Sequence, residues 1–378
     1  MRCTLETLSP LHIGSGGRIS PIEYIADDRL YRLDMDSVFR DDRFDAERYI
    51  REMMGGVVYI GSIDEGVHRR SENIRYAVDA ERRVLSELRN LASRGAKDAE
   101  IYEFVKSADR PYIPASSVKG AIRTALLWHA LKNDKRALMD ECRYLEKNRR
   151  IDKRRADDKI EGQIFRGPDG NTHPPTHDVM RSLRVTDSTA LPLDSLTILE
   201  VKTLTTRRGG YGWKKFSTFV EAMRPKTTVH LDISLDKFLL DDSIARELGL
   251  QDKIEMMRSV PESCNSFAYD LIDHELRFFR EHCAQSNMGA RMLEFYEHMR
   301  RLPLTGGEFL LRLGWGSGWD GMTVGRLLKE CPNMDFHELL MKFHLGKGVR
   351  NIPFPKTRKV AFMGIMPYPL GWVKVRLE

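Results

Sequence analysis

PYIPASSVKGAIRTALLWHAL, residues 111–131, is the stretch whose reading decides the fold. Pro111 and Pro114 hold the preceding chain extended, and Ser116 or Ser117 is placed to accept from the unpaired N–H groups of a first helical turn. Val118, Ile122, Ala125, Leu126 and Leu131 then recur at helical spacing, so the stretch is read as a helix with one face on a core. Lys119 and Arg123, four residues apart, stack on another face. The positive end of a helix dipole, two serines and two cations together make a phosphate cradle, and Gly120 admits a close backbone. The same residues also describe a capped core helix with two solvated cations. Their surroundings decide between these readings.

On the N-terminal side, Cys3, Leu5 and Thr7 alternate with polar neighbours, so residues 2–9 read as a strand that runs into the glycine turn of SPLHIGSGG. Gly14, Gly16 and Gly17 with Ser15 and Arg18 supply backbone N–H groups for a phosphate, without the Lys and Ser/Thr of a P-loop. IEYIADDRLYRLD, residues 22–34, is a hairpin turning at Asp27-Asp28. From Met35 to Ser107 the pattern becomes charged and helical, with Tyr76, Val78, Val84, Leu85, Leu88 and Leu91 as its apolar texture.

On the C-terminal side, residues 132–155 carry ten Lys or Arg against five acids, a local balance of +5. Such a run is usually a solvated face. Glycines and prolines between 160 and 181 argue against a long element, and His173, His177 and Asp178 lack the frame of a zinc site. Residues 182–191 read as a short strand. Residues 197–233 form a strand, a tip and a long returning strand, and the tip is basic, glycine-rich and aromatic at once: Arg207, Arg208, Tyr211, Trp213, Lys214 and Lys215. Cations that track phosphates beside rings that stack on bases are what a single-stranded nucleic-acid finger needs. Helices follow over 236–302, with Phe267, Leu271, Leu276 and Phe279 on one face. The strand at 306–314 then runs into Gly314, Gly316 and Gly318, with Trp315 and Trp319. Residues 316–321 match GxGxxG, but no βαβ unit follows, so a dinucleotide fold is rejected. The chain ends in closing strands split at Pro367 and Pro369.

With 378 residues, 41% hydrophobic and 31% charged, the chain can bury a large core, and it has no apolar run of membrane-spanning length. Its start lacks the features of a signal peptide, which places it in the cytoplasm. Five scattered cysteines without CxxC pairing are expected to be reduced. The formal charge is +6, and 41 Arg stand against 20 Lys. Arginine stacks on bases and binds phosphates bidentately, so the bias suits RNA. No cofactor or metal frame is found.

Reduced to essentials, the order is strand 2–9, helix 116–131, strand 182–190, strand 227–235, helix 267–300 and strand 307–314. This βαββαβ order gives an α+β fold with a ferredoxin-like, RNA-recognition-motif-like core over 1–34, 108–131, 182–235 and 267–325. A helical insertion at 35–107 and a basic, turn-rich insertion at 132–181 interrupt it, and 326–378 is a C-terminal extension with closing strands. The order and the motifs SPLHIGSG (9–16), YIPASSVKGAIRTAL (112–126), LRVTDS (183–188) and LRLGWGSGWDG (311–321) resemble the RAMP superfamily of CRISPR-associated proteins. Within it, they most resemble the family of fifth subunits of the type III-A Csm effector complex.

The resemblance implies a non-catalytic, RNA-binding subunit that caps the filament head, binds the 3′ part of the CRISPR RNA and assists its 3′-end maturation. The implied partners are that RNA, the adjacent RAMP backbone subunit, the small subunit and cellular nucleases, with no membrane. The implied RNA-facing residues are Gly14, Gly16, Gly17 and Arg18; Ser116, Ser117, Lys119 and Arg123; and Gly314, Gly316 and Gly318. The finger at 207–215 corresponds in position to the hairpin with which backbone subunits separate bases. Three alternatives stand beside this reading. One is a backbone subunit cutting target RNA with a metal and Asp27, Asp28 or Asp36. Another is a guide-processing endoribonuclease with His12 as general base. The third is a scaffold whose basic patches meet acidic proteins.

Overall fold

The structure, a computed structural model, describes residues 2–56, 58–148, 151–166, 175–207, 210–332, 334–346 and 354–378. Its strands are, in chain order, β1 (Arg2–Thr7), β2 (Gly14–Ile19), β3 (Tyr24–Ala26), β4 (Leu30–Leu33), β5 (Ile74–Ala80), β6 (Ile101–Phe104), β7 (Lys106–Ser107) and β8 (Arg110–Pro111). They continue with β9 (Leu183–Val185), β10 (Leu196–Arg207), β11 (Gly210–Met223), β12 (Thr228–Leu235), β13 (Glu308–Arg312), β14 (Thr357–Met363), β15 (Met366–Tyr368) and β16 (Trp372–Leu377).

Two large sheets result. The first runs β13-β16-β1-β12-β9 and is antiparallel at every step. The second runs β2-β6-β11-β10-β5-β4-β3, with β14 paired to β10 and β15 to β14. β10 serves three neighbours by dividing its length: Thr197 and Ile198 face β5, residues 200–205 face β14, and β11 follows its other edge.

The helix Ala115–Asn133 packs against the long helix Val260–Cys283, and both contact the first sheet. Val118, Ile122, Ala125, Leu126 and Leu131 are all buried, the face that their spacing predicts. The long helix and its successor Asn287–Arg301 enclose a second core around Trp372, Phe279, Tyr296 and Leu310. No helix among the described residues is long and apolar enough to cross a membrane.

The structure corrects several expectations. The charged region 35–107 is not all helical, because Tyr76 and Val78 lie on β5 and residues 101–104 form β6, both in the second sheet. Tyr76 and Val78 are two apart, which is strand spacing; Val84, Leu85 and Leu88 do share a buried helical face, on Arg82–Ser93. Within the turn-rich stretch, Asp158–Arg166 is a helix. Cys142 and Cys331 are joined by a disulfide rather than reduced, because the fold brings together residues 189 apart in sequence; Cys3, Cys264 and Cys283 are free and buried.

The expected fourth core strand also sits elsewhere. β13 does not pair with β1; β16 takes the place beside β1, and β13 lies beyond it. The physical reason is the helical hairpin. Asn287–Arg301 carries the chain back along the long helix, so β13 starts from the opposite end and runs parallel to β1.

Trp372 is fully buried at the start of β16, at the centre of the second core. Trp372→Ala should therefore lower the unfolding free energy by about 3–5 kcal/mol, read as a shift in the urea midpoint.

Candidate nucleic-acid interface

Because β1 and β13 run in the same direction, the segments that follow them leave one end of the sheet together. Residues 8–13 are held first by Leu8 N–H and Ser9 N–H, which donate to the Trp372 carbonyl at 2.8 and 3.2 Å. Leu11 then exchanges backbone bonds with Met223. The glycine loop after β13 meets this segment directly: Trp315 N–H donates to the His12 carbonyl at 2.9 Å. A Cβ on Gly314 would stand 2.3 Å from that carbonyl oxygen, and the residue has φ +72°. Only glycine fits there.

His12 is buried at 1% exposure, ringed edge-on by Tyr102, Phe104 and Trp315. Its Nδ1 lies 2.7 Å from the Glu221 carbonyl, so Nδ1 carries the proton and donates. Burial pushes the imidazole down to about 4, with the Glu221 carbonyl opposing and nearby Lys106 reinforcing. A buried, neutral ring already bonded to the backbone is a structural histidine, not a general base facing substrate. Below it, the Glu221 carboxylate accepts from Tyr76 Oη–H at 3.0 Å, from Phe104 N–H at 2.8 Å and from the Lys106 ammonium.

The glycine turn expected at 14–18 is a bulged strand. β2 pairs Gly14 with Phe104 and Arg18 with Tyr102, so residues 15–17 stand opposite the single residue Glu103. All of Gly14 to Arg18 is exposed. Ser15 Oγ accepts from Gly17 N–H and donates to Glu103, and Arg18 pairs with Glu100 at 2.7 Å.

Between bulge and loop stands a row that the sequence reading missed. Arg18 lies 4.8 Å over the Tyr102 ring, Tyr102 stacks on Trp315 at 5.8 Å and 28°, and Lys359 Nζ lies 4.7 Å from the centre of the Trp315 ring. The row joins β2, β6, the glycine loop and β14. The facing sides of Tyr102 and Trp315 are taken by their own stack, and of the two cations Arg18 already shares Glu100, whereas Lys359 is held by the Thr203 hydroxyl. Burial, and then the neighbouring Lys214, push the Lys359 amine below its usual range. Lys359 also donates to Thr203 Oγ1 at 3.0 Å.

The start of the helix Ala115–Asn133 is built differently from expectation. Its N-cap is Pro114 and no side chain of its own caps it; Ala115 N–H donates to Asp187 Oδ1 at 2.7 Å, and Ile113 N–H to Ser188 Oγ at 2.8 Å. Ser116 is exposed and Ser117 half-buried. Lys119 donates to the Leu183 carbonyl at 2.7 Å, and burial pushes its amine down. Arg123 is shared by Glu161 at 2.6 Å and Asp178 at 3.1 Å, and it lies over Phe165. Both cations are thus occupied by the protein itself.

In the finger, Tyr211 and Trp213 meet edge to face at 5.8 Å, and Trp213 packs on Phe362 of β14. Both are half-buried, whereas Arg207, Lys214 and Lys215 are exposed. Arg208 and His173 lie outside the described residues. The candidate nucleolytic acids are not clustered: Asp27 pairs with Arg89 and His68, Asp28 accepts from Tyr31, and Asp36 is exposed in the first turn of the helix Met35–Arg40.

Among the described residues, His274, Glu275 and Asp320 bring potential metal-ligand atoms within 4.8 Å of one another. Arg358 fills the middle, bonding Glu275 at 2.9 Å through Nε and lying 3.5 Å from Asp320. The trio surrounds a cation that the chain supplies itself. Gly316 and Gly318 keep φ of +95° and +74°, and the GxGxxG match leads into the short helix Gly318–Met322.

Comparison with known proteins follows from this geometry. A family model described as "RAMP superfamily" matches residues 4–319. A Methanocaldococcus jannaschii protein named "CRISPR system Cms protein Csm5" is 23% identical over 411 aligned positions, covering 100% of this chain and 89% of that protein. One of the same name from Streptococcus thermophilus is 26% identical over 244 residues, 62% of this chain and 63% of that one. Among solved structures, a chain of "Cryo-EM structure of Csm-crRNA-target RNA ternary complex in type III-A CRISPR-Cas system" is similar with TM-score 0.73 and 26% identity, covering 100% of both chains. "Crystal structure of T.onnurineus Csm5" gives TM-score 0.68 and 26% identity, covering 98% of this chain and 99% of that one.

The His12 geometry predicts a pH effect on stability. The unfolded ring titrates near 6.5 and the folded one near 4, so the unfolded chain holds the extra proton between those values. The contribution is complete above about pH 6.5 and is lost as pH falls toward 4. At about 1.4 kcal/mol per pH decade the loss is at most about 3 kcal/mol. Chemical unfolding at pH 4 and pH 7 should show a smaller difference in His12→Gln by up to that amount.

Proposed function

The chain belongs to the RAMP superfamily, and from that premise we propose that it is a non-catalytic RNA-binding subunit of a type III-A CRISPR effector complex. In this reading it caps the filament head, holds the 3′ part of the CRISPR RNA and assists maturation of that end. It sits against the adjacent backbone subunit and the small subunit, with cellular nucleases as visitors. The relatives named Csm5 and the likeness to a chain of a Csm–crRNA assembly support the placement. Its core is ferredoxin-like, with β1, β9 and β12 as the first three strands and β16 in the fourth place; 35–107 and 132–181 are insertions upon it.

The observation that carries RNA binding is Lys359 over the Trp315 ring beside the glycine loop, with Lys214 near enough to act on its amine. Burial, and then Lys214, push the Lys359 amine down; both disfavour its charged form, an anion brought to that point favours it, and a phosphate is the anion that an RNA backbone supplies. Gly14–Arg18, Gly314–Gly318 and the finger cations Arg207, Lys214 and Lys215 surround that point in this reading. Lys119 ties the helix to β9 through the Leu183 carbonyl and Arg123 is held by Glu161 and Asp178, while the exposed Ser116 and half-buried Ser117 are left at the helix start. The buried His12 and the dispersed Asp27, Asp28 and Asp36 favour binding over cleavage.

Single-stranded RNA should bind with steep salt dependence and be recovered uncut in Mg²⁺ or Mn²⁺. Lys214→Ala/Lys359→Ala should reduce the log–log salt slope by about 1.4, two phosphates at about 0.7 each. Lys119→Ala/Arg123→Ala should leave the slope unchanged and lower the thermal midpoint, since it strips partners from Glu161, Asp178 and Leu183. Salt-independent binding, or metal-dependent fragments, would overturn the reading.

A further inference from the structure

Three cavities adjoin one another along the outer side of the long helix. The first, about 520 Å³, lies against the glycine loop, with Trp315, Gly316 and Lys359 among its walls. The second, about 630 Å³, shares Phe354, Pro355 and Arg358 with it. The third, about 480 Å³, shares Glu281 and His282 with the second and ends at Arg207 and Tyr211 of the finger. Their shared lining residues set them end to end between loop and finger, a row termed the groove.

Arg277, Arg280 and Lys329 line this groove, and Arg277 is the least engaged of them. Arg277 is exposed, and its bond to the Asp273 carbonyl is long, at 3.4 Å. Arg280, one turn on, shares an exposed pair with Glu297 at 2.9 Å. Lys329 donates to the Phe354 carbonyl and lies 5.4 Å from the rings of Trp319 and Phe336. Of the acids, Glu275 and Asp320 are held by Arg358, and Asp335 caps a helix by accepting from His337 and Glu338 N–H. Among the described lining residues, Glu281 is the remaining acid. His274, His282 and His337 line the middle cavity beside Phe278, Phe336 and Phe354. Cations with rings between them, along such a row, suit a strand with a phosphate at each step and a flat base between.

We propose that this groove is the path of single-stranded RNA from the glycine loop to the finger, passing over Arg277 and Arg280. The inference rests on the RNA-binding function proposed above and adds the route. Neither arginine supports the core: both are exposed on a helix where alanine is favourable, so their removal leaves the fold intact.

The test compares RNAs of 4 and 16 nucleotides, the ends of the usual range of about 4–16 for a single-strand-binding unit, on the full chain by fluorescence anisotropy. Arg277→Ala/Arg280→Ala should weaken the longer RNA about tenfold and leave the shorter one, which the glycine loop alone accommodates, unchanged. A photo-crosslinking 16-mer should also label the helix between 274 and 283. Unchanged binding of the longer RNA, or equal loss for both lengths, overturns the route while leaving RNA binding itself standing. Failure of the unsubstituted chain to bind either RNA overturns both.

Discussion

The position of β16 between β1 and β13 is the constraint on which the rest of the structure depends. A strand that is antiparallel to both neighbours forces those neighbours to be parallel to one another. The segments after β1 and β13 therefore leave the sheet at the same end. They are 300 residues apart in the chain but meet as one layer, joined by the bond from Trp315 N–H to the His12 carbonyl. Gly314 is then a steric necessity, because any Cβ at that point would overlap the carbonyl oxygen.

Much of this was legible from local pattern. The 3.6-residue spacing of Val118, Ile122, Ala125, Leu126 and Leu131 located both the helix and its buried face, and alternation located β1; the hairpin expected over 197–233 is there as β10 and β11, but its returning strand ends at Met223 and β12 belongs to the other sheet. The failures share one cause, which is partners distant in sequence. Nothing near Arg123 announces Glu161 or Asp178, and nothing near Ala115 announces that Asp187 caps it. Tyr102 was hidden in a charged region read as helical, although the Ile-Tyr-Glu-Phe run around it is strand-like in composition. Trp315 was noticed, but its stacking partner and the two cations that bracket the pair come from three other elements. The fourth strand was misplaced because a direction reversal by a second helix leaves no mark on the order of elements.

Buried charge explains how the glycine loop keeps its place. Arg358, Glu275 and Asp320 are 8%, 1% and 3% exposed. An isolated charge there would be costly, and a mutual pair roughly offsets that cost without much gain. Burial alone would push Asp320 upward, but His274, Arg358 and Lys329 hold it below the usual carboxylate range, so it remains an anion. What the cluster supplies is direction: Arg358 bonds the long helix through Glu275 and the start of its own strand through the Pro355 and Thr357 carbonyls, and it faces Asp320 two residues past Gly318. Three segments are fixed by one guanidinium, whose fork geometry a lysine could not reproduce.

The same logic separates cations that hold the fold from cations that await a ligand. Arg123 has two carboxylates within 3.1 Å, so a phosphate approaching it would have to displace anions already desolvated and in place. Lys359 has a hydroxyl, a ring face and another lysine. Every unit of negative charge brought to that point lowers the repulsion between the two amines as well as adding its own attraction. Sequence spacing ranks Lys119 and Arg123 above Lys359 as phosphate ligands, because four residues on a helix look like a designed pair. Placed in three dimensions, the ranking inverts, since the measure of a binding cation is the charge around it that remains uncompensated.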